Sequence, residues 1–184
     1  MFDPEANLQA AERVAGLLEG QGVPAVVIGA VALAAYRYVR LTEDIDLGVD
    51  ADLPRMRMLV ATLREDGLTA ELREPDGDDP LGGVIDVSGP FGLVQVVSFG
   101  DRFPAAIRDA LAGDDVRVNP GSKLRIVPFP QLVALKLYAG GSKSRADIVE
   151  LLRRNPEVDL APIRKACRRY RLRGLDAILR ELHA

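Results

Sequence analysis

The chain has no tryptophan, one cysteine and one histidine among 184 residues, and each shortage removes a class of chemistry. A single thiol, Cys167, excludes a disulfide framework and reads as a buried or helix-face thiol rather than a nucleophile. The one histidine, His183, sits next to the terminus, which argues against histidine-based catalysis and His-rich zinc sites. No apolar run reaches transmembrane length, and the acidic N-terminus lacks a signal-peptide pattern, so a cytoplasmic protein without membrane contact is expected. The net charge of −3 gives the whole chain no polyanion-binding signature. The C-terminal quarter, however, is strongly basic.

What is present is a good supply of core: 48% of residues are hydrophobic and 28% charged. That supports one domain, or a core over residues 1–122 with a mainly helical part over 123–184 packed on it. Apolar residues at helical spacing predict a helix over 4–20, closed by Gly20 and Gly22. A second helix is predicted over 51–66, entered through Asp52 and Pro54, then a strand over 68–73 and a loop over 75–80. Val84 to Ser88 and Leu93 to Ser98 read as a hairpin around a GPFG turn at 89–92. Symmetric closure would set Val87 opposite Val94 and Asp86 opposite Gln95, side by side on one face. A helix over 101–112, short strands at 116–118 and 124–127, and helices over 131–138 and 146–153 follow. The expected fold is α/β (α+β): a small mixed twisted sheet with flanking helices and a helical C-terminal part.

The most informative stretch is VVIGAVALAAYRYVRLTEDIDLGVD, residues 26–50. Val26 to Ile28 is a short apolar run that stops at Gly29, and Ala30 to Tyr38 reads as a helix starting there, a βαβ-like opening. Leu41 to Val49 alternates as a strand, and Asp44 and Asp46, two apart, share its face. Two bare carboxylates that close repel unless a cation lies between them, and hard oxygen ligands at this spacing suit Mg²⁺. The strand–glycine–helix before them supplies backbone N–H groups suited to phosphate.

This arrangement resembles the signature of the DNA polymerase β-like minimal nucleotidyltransferases. That signature is a hydrophobic residue, glycine and a small residue, then a spacer and Asp–hydrophobic–Asp–hydrophobic. Here it reads Ile28, Gly29, Ala30, thirteen intervening residues, then Asp44, Ile45, Asp46, Leu47. RLTEDIDL further resembles the abortive-infection and toxin–antitoxin branch. PFPQLVALKLYAGGSKSRADIVELLRR resembles the family's downstream block, a helix with Leu-Lys-Leu leading through a basic turn into an Asp-containing helix. The resemblance implies transfer of a nucleoside monophosphate from an NTP to an RNA, protein or small-molecule hydroxyl, with Mg²⁺ or Mn²⁺ on Asp44 and Asp46. It implies nucleotide contacts from Gly29, Ala30, Lys136, Lys143, Arg145 and Asp147. The family's third carboxylate aligns with Gln95, and an amide is neither a base nor a charged ligand. Asp86, on the neighbouring strand, is the candidate substitute; the alternative is a merely polar hairpin residue.

Lys136 lies in an otherwise apolar helix, where a charge is expensive unless paired, so it either binds phosphate or pairs with Asp147. The basic run of Arg164, Lys165, Arg168, Arg169, Arg171 and Arg173 around Tyr170 reads either as a platform for an RNA or tRNA end or as a solvated helix face. With aromatics at 5%, base stacking would rest on Tyr36, Tyr38 or Tyr138. Two other readings stand beside the enzyme: a degraded member that binds nucleotide without turnover, held by a partner such as a cognate antitoxin, and a plain structural or antitoxin-like interaction protein in which the Asp pair is incidental.

Overall fold

A computed structural model describes residues 3–76 and 81–182; His183 and positions 77–80 of the expected loop lie outside them. Among the described residues are five strands and eight α-helices. In chain order these are α1 (Pro4–Gly20), β1 (Ala25–Ile28), α2 (Gly29–Ala35), β2 (Asp44–Val49), α3 (Leu53–Glu65), β3 (Thr69–Arg73), β4 (Val84–Gly89), β5 (Gly92–Ser98), α4 (Pro104–Ala112), α5 (Phe129–Ala139), α6 (Gly141–Arg154), α7 (Leu160–Arg169) and α8 (Leu175–Leu182). The expected mixed α+β architecture is what the chain adopts.

The sheet runs β1-β2-β5-β4-β3, with β2 and β5 parallel and every other pair antiparallel. One face is mainly apolar: Ile45, Leu47, Val49, Val94, Val96, Ile85, Val87 and Ala70 are all buried. They pack beneath α1 and α3, which contribute Ala11, Val14, Leu18, Met56, Leu59 and Leu63. Each of those two helices starts on an aspartate that caps free backbone N–H groups. Asp3 accepts from Glu5 N–H at 3.0 Å, and Asp52 accepts from Arg55 N–H at 2.8 Å.

On the opposite face, α2 and α4 cover β1 and β2. A side chain at Gly48 would press on Ile107 of α4. Beyond them this face carries buried Val84 and Val97 at one end and is polar elsewhere: Asp86 and Gln95 are half-buried, and Thr69, Glu71, Arg73 and Ser88 are exposed. Side chains alternate between the two faces along each strand, as the pleat requires.

Four expectations need correction. The opening is not a βαβ unit, because β1 and β2 pair antiparallel. The intervening helix has only 7 residues, and the chain turns after it at Arg37 with φ +63, so β2 comes back alongside β1. β2 begins at Asp44 rather than Leu41; the segment before it is irregular and leaves Leu41 96% exposed. The strands expected at 116–118 and 124–127 are reduced to single bridges, Arg117 to Arg125 and Val27 to Ile126. There the chain turns at Pro128 into α5, and proline offers no N–H to prolong a ladder. The GGSKSR segment is not a turn: Gly140 and Gly141 make the bend at φ +68 and +76, and Ser142 to Arg145 already belong to α6.

The basic C-terminal segment is two helices, α7 and α8. They are separated by Arg171 and Gly174, both at positive φ. Cys167 is buried, as its sequence context implied. No helix among the described residues is long and apolar enough to cross a membrane.

Candidate active site

β2 carries Asp44 and Asp46 on the open face, and both are half-buried. Asp46 is opposite Ile28 at the end of β1, where the chain bends at Gly29 with φ +64. A Cβ on Gly29 would collide with the Asp46 carboxylate, so this position needs glycine both for its backbone and for the space it leaves. Burial pushes the Asp46 carboxyl up to about 6, with the neighbouring Asp44 charge adding to the rise. Lys136 and Lys143 pull in the other direction. The Asp44 carboxylate accepts a hydrogen bond from the Thr42 hydroxyl.

A cationic wall stands beside the pair. Lys136 of α5 donates to Asp147 of α6 at 2.7 Å, and Arg40, from the segment before β2, donates to both oxygens of the same carboxylate at 2.8 and 3.0 Å. Asp147 is 2% exposed. Of the two alternatives considered for Lys136, the pairing with Asp147 is made, and its charge also acts on Asp46. Lys143 lies in the first turn of α6, exposed. Arg145 points elsewhere, to Glu181 of α8 at 2.5 Å. Ala30 sits half-buried in the first turn of α2.

The hairpin register is the one the sequence implied: Asp86 faces Gln95, and Gln95 faces Asp46. Gln95 thus separates the two acids, with its Nε2 donating to Asp86 Oδ1 at 2.6 Å. Arg73 of β3 clamps Asp86 at 2.6 and 3.1 Å. That guanidinium, helped by the Gln95 amide, holds the Asp86 carboxyl below the usual carboxylate range. Among the described residues no group of three acidic, histidine or cysteine side chains could hold a metal together, which leaves Asp44 and Asp46 as a two-carboxylate set.

Of the tyrosines considered for base stacking, Tyr36 is spent on the fold. Its hydroxyl donates to Val127 O at 3.0 Å, and burial pushes it up to about 12. Tyr138 stacks on Phe103 with centroids 4.3 Å apart. Tyr38 lies under the Arg154 guanidinium at 5.3 Å.

Sequence reasoning missed Arg40, Thr42 and Arg73. Thr42 stood inside the quoted RLTEDIDL and could have been found as a hydroxyl two residues before an acid. Arg40 and Arg73 had no local signal, because their partners are 107 and 13 residues away.

No known family model matches the chain, and no curated protein matches it by sequence. Solved structures do match in shape. The antibiotic-resistance factor ANT(2'')-Ia in solution superposes with a TM-score of 0.57 at 16% identity, over 98% of both chains. An antigenic nucleotidyltransferase-like protein from Paracoccidioides brasiliensis gives 0.55 at 16%, over 97% of this chain and 94% of that one. The Megavirus polyadenylate synthase gives 0.50 at 11%, over 83% of this chain and 32% of that one. The chain has the nucleotidyltransferase fold.

Proposed function

We propose that the protein is a metal-dependent nucleotidyltransferase that moves a nucleoside monophosphate from an NTP to a hydroxyl acceptor. One observation carries the reading: two carboxylates share a face of β2 beneath Gly29, with Lys136 and Lys143 acting on Asp46 from α5 and α6. Carboxylates beside lysines suit a divalent cation complexed to polyphosphate.

The residues fit such an ion. Asp46 is held protonation-prone by burial and by Asp44, a repulsion that a cation between the two would remove. Asp44 and Asp46 would hold Mg²⁺ or Mn²⁺, with waters and phosphate oxygens completing the shell. When bound, the ion would neutralise charge on the reacting phosphate.

Lys136 and Lys143 supply charge-assisted hydrogen bonds for the outer phosphate oxygens. Asp147 fixes Lys136 and Arg40 so that their donors are ordered before the nucleotide arrives. Gly29 and Ala30 form the seat against which the triphosphate lies, and Arg145 ties α6 to α8. Asp86 lies two strands from the carboxylate pair, with Gln95 of β5 between them. An RNA or tRNA end is a candidate acceptor, approached by the exposed Arg168, Arg171 and Arg173 near the C-terminus; small molecules and proteins are the other classes.

A second reading has its own support. Gln95 occupies the place on β5 next to Asp46, so a nucleotide-binding or antitoxin-held module without turnover is also consistent with the site. Binding and product formation, measured in turn, separate these. Each NTP is titrated by calorimetry with Mg²⁺ and with EDTA, on wild type and on Asp44→Ala/Asp46→Ala. Binding that needs both the metal and the aspartates supports the site; no binding at millimolar NTP removes the enzyme reading. Product formation then distinguishes transfer from binding alone.

A further inference from the structure

Four residues lie in register across the open face, one per strand: Asp46 on β2, Gln95 on β5, Asp86 on β4 and Glu71 on β3. Adjacent strands are about 4.8 Å apart, so Asp46 and Asp86 are separated by roughly 10 Å with Gln95 between them. Asp86 is a charged carboxylate clamped by Arg73, and a carboxylate only accepts hydrogen bonds. The amide beside it must therefore turn its NH₂ toward Asp86, as the 2.6 Å contact shows. That leaves Oε1 as the end of Gln95 that can accept.

We propose that Arg73 and Asp86 are positioning residues that lock the Gln95 amide with Oε1 presented to the acceptor, so that Gln95 seats the attacking hydroxyl and no protein carboxylate removes its proton. This rests on the nucleotidyltransferase reading. In the transfer step the hydroxyl oxygen forms its bond to the α-phosphorus as the bond to the bridging oxygen breaks. Pyrophosphate leaves with that electron pair, and the hydroxyl proton passes to water. An amide orients the hydroxyl by accepting its hydrogen bond but cannot hold the proton. The step therefore favours acceptors whose own hydroxyl ionises readily. The charged groups around Gln95 are Asp44 and Asp46 on β2, Asp86 on β4, and Arg73 and Glu71 on β3, with Lys136 and Lys143 acting on Asp46 from α5 and α6.

Water serves as the probe acceptor, because attack by water on Mg²⁺–ATP releases AMP and pyrophosphate without knowledge of the natural substrate. AMP formation is followed from about pH 6 to 9 in wild type, Gln95→Glu, Gln95→Ala and Asp86→Asn, with ATP affinity measured on each. Wild-type turnover should climb steadily with pH. Gln95→Glu should gain about 100-fold near neutral pH, the lower range for a positioned base, and its profile should level off above the new carboxyl's pKa. Asp86→Asn should lower turnover with ATP affinity unchanged, and the Gln95 side-chain NH₂ resonances should lose their protection from solvent exchange. If wild type fails to bind Mg²⁺–ATP, the enzyme reading falls and takes this inference with it. If ATP binds but Gln95→Glu and Gln95→Ala match wild type in rate and pH profile, only the role of Gln95 is overturned.

Discussion

Lys136 and Asp147 meet at 2.7 Å between α5 and α6, and the acid is almost wholly buried. Arg40 completes the contact from the segment that leads into β2. One carboxylate thus fixes two cations and fastens the approach to Asp44 onto the C-terminal helices. Asn155 adds to this by donating to Tyr36 O at 2.8 Å. Removing one partner of a buried pair costs about 3–5 kcal/mol, because the survivor is left charged without compensation. Asp147→Ala should therefore lower unfolding stability by about 3 kcal/mol, since Lys136 and Arg40 are partly exposed and can recover some hydration. Lys136→Met in the same chain should restore part of that loss. Urea unfolding of the single and double variants checks the coupling; additive losses would mean that the contact contributes no pairwise stability.

The raised Asp46 carboxyl makes a prediction with a defined sign. Its folded value of about 6 exceeds its ordinary 3.8, so folding favours the protonated form. The stability linked to this group is complete below the unfolded value and is lost as pH rises through about 6, a cost of about 3 kcal/mol at full ionisation. Asp46→Asn should accordingly stabilise the metal-free protein at about pH 8, with the gain shrinking toward pH 4. Thermal melts in EDTA across that range measure it. Adding Mg²⁺ should stabilise wild type and leave the asparagine variant nearly unmoved.

Much of this was legible in the sequence because two periods are unambiguous. Alternation around the GPFG turn fixed the hairpin register, and with it the contact between Asp86 and Gln95. The spacing of Asp44 and Asp46 placed both on one face. What failed depended on chain length and on distant partners. Ala30 to Tyr38 read as one helix of a βαβ-like opening, but α2 ends at Ala35 and Arg37 takes φ +63, and β2 returns antiparallel. Arg145 looked like part of a phosphate-binding turn because nothing local reveals Glu181. Arg169 looked like part of a basic platform, whereas it pairs with Asp109 of α4 at 2.5 Å.

Gly29→Ala tests the seat against which Asp46 rests. A left-handed backbone costs a residue with a Cβ roughly 1–2 kcal/mol, and here the new methyl would also displace the Asp46 carboxylate. Stability should fall by at least that amount. If Asp44 and Asp46 hold the ion, divalent-ion affinity should fall with it, because the Asp46 carboxylate would be displaced. Isothermal titration with Mn²⁺ reads the second effect separately from the melt. Unchanged Mn²⁺ affinity in a folded variant would show that Asp46 is not placed by Gly29.

The C-terminal basic run divides into two kinds of arginine, and salt dependence can tell them apart. Arg169 and the Tyr170 hydroxyl both bind Asp109, at 2.5 and 2.6 Å, and the guanidinium holds the Asp109 carboxyl below its ordinary range. Arg169→Ala should therefore act on packing between α4 and α7. Arg168, Arg171 and Arg173 are exposed, and each is available to a phosphate. If an RNA end is the acceptor, each of these three changed to Ala should weaken RNA binding at low salt. Each should also reduce the slope of log affinity against log salt by about one. Filter binding of a short single-stranded RNA at several salt concentrations makes the measurement. Unchanged slopes in all three variants would remove RNA from the acceptor classes and leave the open sheet face to a small molecule or a protein hydroxyl.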